Sequence, residues 1–124
     1  MSTTRLALGA TRALVGLAAW TAPDQTVTVF GIDRERHDRF VSRLFGARDF
    51  ALGASVLAAD PQHLRAATTV GVLVDSVDAI AGFDEYRRGT LSTRAFVLGP
   101  CGAVLLAVLG VLVLREESAG TVAG

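Results

Sequence analysis

Four apolar stretches alternate with polar spacers along the chain, and their lengths predict four helices. The stretches run over residues 6–22, 41–59, 66–83 and 95–114. The last of them, Ala95 to Leu114, has 20 residues without a charge and ends at Arg115. At about 1.5 Å of rise per residue this helix is about 30 Å long, which is the thickness of the hydrocarbon core of a bilayer. The fourth stretch therefore predicts a membrane protein.

The other three stretches are also apolar, but each contains ionisable residues. One such residue at the centre of a membrane helix costs about 2.5–3.5 kcal/mol of insertion free energy. We therefore expect these helices to need partners that neutralise their charges. The residues concerned are Arg12 in the first stretch, Arg43, Arg48 and Asp49 in the second, and Asp75 and Asp78 in the third.

Small and polar residues recur at helical spacing in these three stretches and form one stripe on each predicted helix. Steps of three and four residues place them on one face, and small residues let helix backbones approach closely inside a membrane. We expect the stripes to face inward and the apolar sides to face lipid, which is the reverse of a soluble amphipathic helix. The helix-packing positions expected from this pattern are Gly9, Gly16, Gly46, Gly53, Gly71 and Gly82.

Together these patterns predict an all-α fold, in which residues 1–124 form a single four-transmembrane-helix bundle with up-down topology. Hydrophobic residues make up 51% of the chain and charged residues 19%, which is more apolar than a soluble domain of this size can bury. Acidic and basic residues number 12 each, so the basic excess of a nucleic-acid-binding protein is missing. We expect the lipid bilayer as the surroundings and no nucleic acid as a partner.

The arginines of the predicted loops indicate the orientation in the membrane, because loops rich in Arg stay in the cytoplasm. Two loops on one side carry twice as many arginines as the opposite side, which also holds both termini. We therefore expect a multi-pass protein of the cell membrane with its Arg-rich loops in the cytoplasm and both termini outside. The richer side has Arg34, Arg36, Arg39, Arg87, Arg88 and Arg94, and the poorer side has Arg5, Arg65 and Arg115.

Five ionisable residues from three helices fall in one layer, about 8 to 15 Å from the cytoplasmic end of each predicted helix. We expect Arg48 to bridge Asp75 and Asp78, since a guanidinium can hold two carboxylates, and Arg12 to pair with Asp49. This buried polar layer is the candidate functional site. Its first interpretation is structural, as a set of ion pairs that hold the helices in register, and its second is functional, as a proton-exchanging acid or a polar ligand site.

Other residues give no indication of catalytic or metal chemistry. His37 and His63 lie in loops on opposite sides of the predicted membrane, so we expect both to be solvated rather than to share a metal. Cys101 is expected to pack as a small apolar side chain. The sequence has no nucleophile, phosphate-loop or dinucleotide motif, and we expect no catalytic residue, no metal and no cofactor.

Several short motifs resemble a family of small four-helix bacterial membrane proteins, catalogued as a domain of unknown function and common in high-GC bacteria. The resemblance covers most of the chain. It implies the four-helix arrangement and the importance of the polar layer, but it implies no activity. The motifs are Pro23, Phe30-Gly31, the run Arg43-Leu44-Phe45-Gly46-Ala47-Arg48-Asp49 with Leu52-Gly53, and Asp75 with Asp78 three residues later.

Three classes of function are compatible with these patterns. The first is a non-enzymatic accessory or interaction component with a structural polar layer. The second is a proton-coupled transporter of a small solute, which at this chain length requires an oligomer, such as a homodimer. The third is an intramembrane isomerase or cyclase with a neutral Asp as general acid, which requires a lipid-sized cavity beside the acids. The first class requires the least, and a second copy or another membrane protein is the expected partner.

Overall fold

The computed structural model describes residues 1–35 and 37–123, and every regular element in them is a helix. The all-α fold that the sequence predicts is confirmed. The short helix α2 was not predicted, and the short helix α5 covers the start of the fourth predicted helix. The six helices are α1 (Thr3–Thr21), α2 (Pro23–Val29), α3 (Arg39–Ala58), α4 (Pro61–Arg87), α5 (Thr93–Leu98) and α6 (Pro100–Ala123).

Side-chain caps fix where the long helices begin. The Ser2 hydroxyl accepts a hydrogen bond from the Arg5 amide at the start of α1. Asp38 accepts from two amides at the start of α3, and Asp60 accepts from the His63 amide at the start of α4. Such caps satisfy amide groups that have no partner within the helix. The starts of these helices are thus set locally by the sequence.

The fourth predicted helix is divided in two at Gly99 and Pro100. Gly99 ends α5 with φ −85° and ψ −87°, outside the helical region, and Pro100 begins α6 without an amide hydrogen to donate. A Cβ atom on Gly82 would lie 1.9 Å from Pro100 Cγ, so α4 passes directly against the break. The break therefore brings the proline ring against the glycine of α4.

Helices α1 and α3 form an antiparallel pair in backbone contact. A Cβ atom on Gly16 would lie 2.3 Å from the Phe50 amide nitrogen, and one on Gly46 would lie 2.6 Å from the Gly16 carbonyl oxygen. A Cβ atom on Gly53 would lie 2.6 Å from the Gly9 carbonyl oxygen. Glycine at these positions lets the two helices pack more closely than other residues allow.

Helices α4 and α6 form a second antiparallel pair, and a small apolar core joins it to the first. A Cβ atom on Gly110 of α6 would lie 2.5 Å from Val72 Cγ2 of α4. The core is at the end of the molecule that carries both termini, and it has one or more residues from each of the four long helices. Its members are Leu8, Val56, Leu64 and Val113.

Two stretches among the described residues are long and apolar enough to cross a membrane, Pro61–Arg87 and Thr93–Ala119. Their outward faces carry large apolar side chains in contact with the surroundings. Leu73, Val77 and Ile80 of α4 are 61%, 64% and 70% exposed. The second stretch continues through the break at Gly99 and Pro100, so it comprises α5 and most of α6.

Candidate functional site

Arg12 is the centre of a buried ion-pair cluster that joins three helices. Its side chain is 2% exposed. One terminal nitrogen donates to Asp49 Oδ1 of α3 at 3.0 Å. The other donates to Asp75 Oδ2 of α4 and to the Gly71 carbonyl oxygen at 3.0 Å. One guanidinium thus donates hydrogen bonds to two carboxylates and a backbone carbonyl, and such bonds are what a buried charge requires.

Glycines on the neighbouring helices make room for this guanidinium. A Cβ atom on Gly71 would lie 3.2 Å from Arg12 Nη2, and one on Gly53 would lie 2.9 Å from Arg12 Cβ. The predicted packing glycines of α1 and α3 therefore do two things. They bring the backbones together, and together with Gly71 they hold the arginine side chain against α4.

Arg48 and Asp78 form a separate ion pair of 2.8 Å between α3 and α4. Their side chains are 43% and 34% exposed, so this part of the predicted buried layer is open to the surroundings. The Arg48 guanidinium also lies over the Phe45 ring at 5.2 Å from its centre. A cation in this place gains from the negative face of the ring.

The predicted pairing is confirmed for Arg12 with Asp49 and for Arg48 with Asp78, and it is wrong for Arg48 with Asp75. Three residues along a helix are about 300° of rotation, so Asp75 and Asp78 point about 60° apart. That angle turns Asp75 towards α1 and leaves Asp78 facing α3. Asp75 therefore pairs with Arg12, and Asp78 pairs with Arg48. The arginine that bridges two carboxylates is Arg12, which contacts Asp49 and Asp75.

A cleft of about 400 Å³ lies between the two helix pairs, next to this cluster. Four ionisable residues line its polar part: Arg48, Asp49, Asp75 and Asp78. Its walls are apolar and come from the loop after α2 and from α3, α5 and α6. Among them are Phe30, Phe45, Leu98 and Leu105.

A second groove of about 540 Å³ follows the outer side of α4 and α6. Apolar side chains line most of it, and Arg115 lies at the end where the chain terminates. Asp75 borders this groove as well as the cleft. The same carboxylate that binds Arg12 therefore lies between two cavities.

His37 has a different environment from the solvated one that was expected. Its side chain is 5% exposed, and its ring nitrogens contact Asp24 of α2 at 2.9 Å and Ser42 of α3 at 3.0 Å. The hydrogen bond from His37 lowers the pKa of Asp24, and the nearby Arg39 and Arg34 act in the same direction. This cluster attaches α2 to the start of α3. The sequence contained no periodic signal for it, because its members come from a helix end and a loop.

Two further expectations concern single residues. Cys101, predicted to pack as a small apolar side chain, is exposed at the start of α6. His63 is largely exposed and contacts Asp60. Within residues 1–35 and 37–123, no three His, Cys, Asp or Glu side chains come together as metal ligands would.

The chain matches no family model, no curated protein and no solved structure. Its function is therefore inferred from its own residues.

Proposed function

We propose that the protein is a small integral membrane protein that crosses the bilayer four times, through α1, α3, α4 and the combined α5–α6 stretch. The distribution of side chains supports this proposal. The buried residues of the long helices include Arg12, Asp49 and Asp75, whereas their outward faces carry large apolar side chains. A soluble bundle has the reverse distribution, and a bilayer favours charges that are paired inside.

The orientation that we propose has both termini outside and the loops with residues 34–39 and 87–94 in the cytoplasm. The excess of arginine in these loops supports it. On the opposite side, Arg5 donates to the carbonyl oxygens of Val56 and Ala59 at the end of α3. Its charge serves to cap a helix there, which explains an arginine on the side where few are expected.

Within the membrane, we assign the protein the role of a non-enzymatic accessory or interaction component. The observation that carries this proposal is that Arg12 contacts carboxylates on two other helices. Ion pairs of this kind fix the register of the helices, and the buried carboxylates of Asp49 and Asp75 are already paired with Arg12. The expected partner is a second copy of the chain or another membrane protein, for which the groove along α4 and α6 offers an apolar surface.

A second candidate is a proton-coupled transporter of a small solute that works as an oligomer. Asp75 favours it, because this carboxylate borders both the cleft and the outer groove. An ionisable residue placed between two cavities is a candidate for exchanging a proton between them. The isomerase or cyclase hypothesis requires a cavity beside the acids, but a binding protein needs the same cavity, so the cleft does not favour an enzyme.

Membrane extraction and cysteine labelling test the membrane assignment. The protein should remain in membranes washed with alkaline carbonate. In a Cys101→Ser background, a cysteine at Thr90 should react with an impermeant maleimide only after the cells are opened, and one at Gln62 should react in intact cells. Release by carbonate, or labelling of both positions from one side, would overturn the four-span proposal.

Reconstitution separates the accessory role from the transport role. Liposomes that contain the protein should neither acidify nor take up a solute when a proton gradient is applied. The Asp75→Asn variant should behave identically. A proton flux that is present in the wild type and lost in Asp75→Asn would replace the accessory role by the transporter.

A further inference from the structure

We propose that the cleft between the two helix pairs binds an amphipathic cation, a molecule with one positive group on an apolar body. The proposal extends the interaction role by naming a ligand class, and it rests on the membrane location proposed above. Three features of the cleft carry it: its size, the division of its lining into polar and apolar parts, and its charge.

The size and lining of the cleft suit a molecule with two chemically different ends. A volume of about 400 Å³ lies in the range of small-molecule sites. The charged residues come from the facing sides of α3 and α4, and the apolar walls from α3, α5 and α6, including Phe45, Leu98 and Leu105. A uniformly polar ligand would leave these walls without a partner, and a uniformly apolar one would remove water from the Arg48–Asp78 pair without replacing its hydrogen bonds.

The charge of the cluster selects a cation. Arg12 and Arg48 face three carboxylates, Asp49, Asp75 and Asp78. With all five groups ionised, one negative charge is left without a positive partner. A ligand with one positive charge completes the balance, whereas an anion would add a second negative charge in surroundings that screen it weakly.

Asp78 is the acid that such a ligand would contact first. Asp75 and Asp49 are held by Arg12, and their side chains are nearly inaccessible. Asp78 binds Arg48 through one oxygen, Oδ2, and its side chain is partly exposed. The Phe45 ring, which lies against the Arg48 guanidinium, lines the same cleft as Asp78. A quaternary ammonium or amine can therefore approach Asp78 without disturbing the buried cluster.

Calorimetric titration of the protein in lipid nanodiscs tests the proposal, with empty nanodiscs as the reference. The probes are decyltrimethylammonium and decyl sulfate, which share one alkyl chain and differ in the sign of the head group. We expect saturable binding of the cation above the empty-disc signal and none of the anion. Equal signals for both probes would mean that only the alkyl chain is recognised, and this would overturn the proposal.

Two matched variants locate the site. Asp78→Asn should weaken binding of the cation by about tenfold or more, as the loss of a charged hydrogen-bond partner does. Asp84→Asn removes an exposed carboxylate further along α4, which pairs with Arg87 and Arg88 outside the cleft, and should leave binding unchanged. Unchanged binding in a folded Asp78→Asn protein would refute the assignment. Because the titration also works in detergent, failure to bind is distinguishable from failure of the membrane assignment.

Discussion

Replacing Arg12 by Gln removes the centre of the buried cluster and measures what that cluster contributes to stability. The substitution leaves Asp49 on α3 and Asp75 on α4 without their cationic partner. It also takes away a donor from the Gly71 carbonyl. Every group affected is buried, so water cannot replace the lost contacts.

The expected magnitude follows from this burial. Removing one partner of a buried ion pair typically costs about 3–5 kcal/mol, because the remaining charge has no compensation. We expect Arg12→Gln to lower the free energy of unfolding by that amount. Arg48→Gln is the comparison variant: the Arg48–Asp78 pair is partly exposed and holds a single carboxylate, so its loss should cost less than the loss of Arg12.

A double-mutant cycle with Asp75→Asn isolates the contact between α1 and α4. In the double variant the carboxylate that lost its partner is also neutral, so its cost should be smaller than the sum of the single costs by about 1–3 kcal/mol. The assay is reversible unfolding in detergent by titration with a denaturing detergent, followed by circular dichroism. Single costs below about 1 kcal/mol, or costs that simply add, would refute the structural role of Arg12.

Two further predictions concern helix contacts and pH. Gly16→Ala should destabilise the protein by about 1–3 kcal/mol, because the new Cβ atom would lie 2.3 Å from the Phe50 amide nitrogen. Gly102→Ala is the control: a Cβ atom there has no neighbour within 4 Å, so this variant should melt at or above the wild-type temperature. Equal melting temperatures of the two variants would contradict the close α1–α3 contact. The hydrogen bond from His37 lowers the pKa of Asp24 in the folded protein below the unfolded value of 3.8. The ionised acid therefore stabilises the fold above pH 3.8, and this stabilisation is lost as the pH falls through the lower folded pKa. The melting temperatures of wild type and Asp24→Asn should therefore differ at pH 6 and converge at acid pH, and a constant difference would contradict the assignment.

The sequence predicted the helical fold and three members of the buried cluster, Arg12, Asp49 and Asp75, whereas Arg48 and Asp78 form a partly exposed pair. Gly9 and Gly16 are seven residues apart, and so are Gly46 and Gly53, which already indicates two faces that can pack together. The sequence did not predict which arginine pairs with Asp75. Depth along the helices places both Arg12 and Arg48 near Asp75. Only the rotation of each helix about its axis decides which of the two arginines pairs with this acid.

Features that depend on loops or on a helix break were also missed. The burial of His37 depends on how the segment after α2 folds back, and residues without a repeating pattern do not reveal this. Pro100 lies near the start of the fourth predicted helix, where a proline is easily tolerated. Its close approach to Gly82 depends on the neighbouring helix, so the division of α5 from α6 and the exposure of Cys101 could not be predicted.

The position of Arg12 in the chain has a consequence for how the protein is made. Arg12 lies 37 residues before Asp49 and 63 before Asp75, so α1 emerges from the ribosome long before either acid. During that interval its charge has no partner, and in the four-span arrangement that we propose α1 alone is a poor substrate for release into lipid. When α3 is made, Asp49 becomes the first partner of Arg12, and α4 then brings Asp75 to Arg12 and Asp78 to Arg48. In this proposed arrangement the order of synthesis and the order of charge compensation coincide, because the first half of the chain supplies the two arginines that Asp75 and Asp78 need.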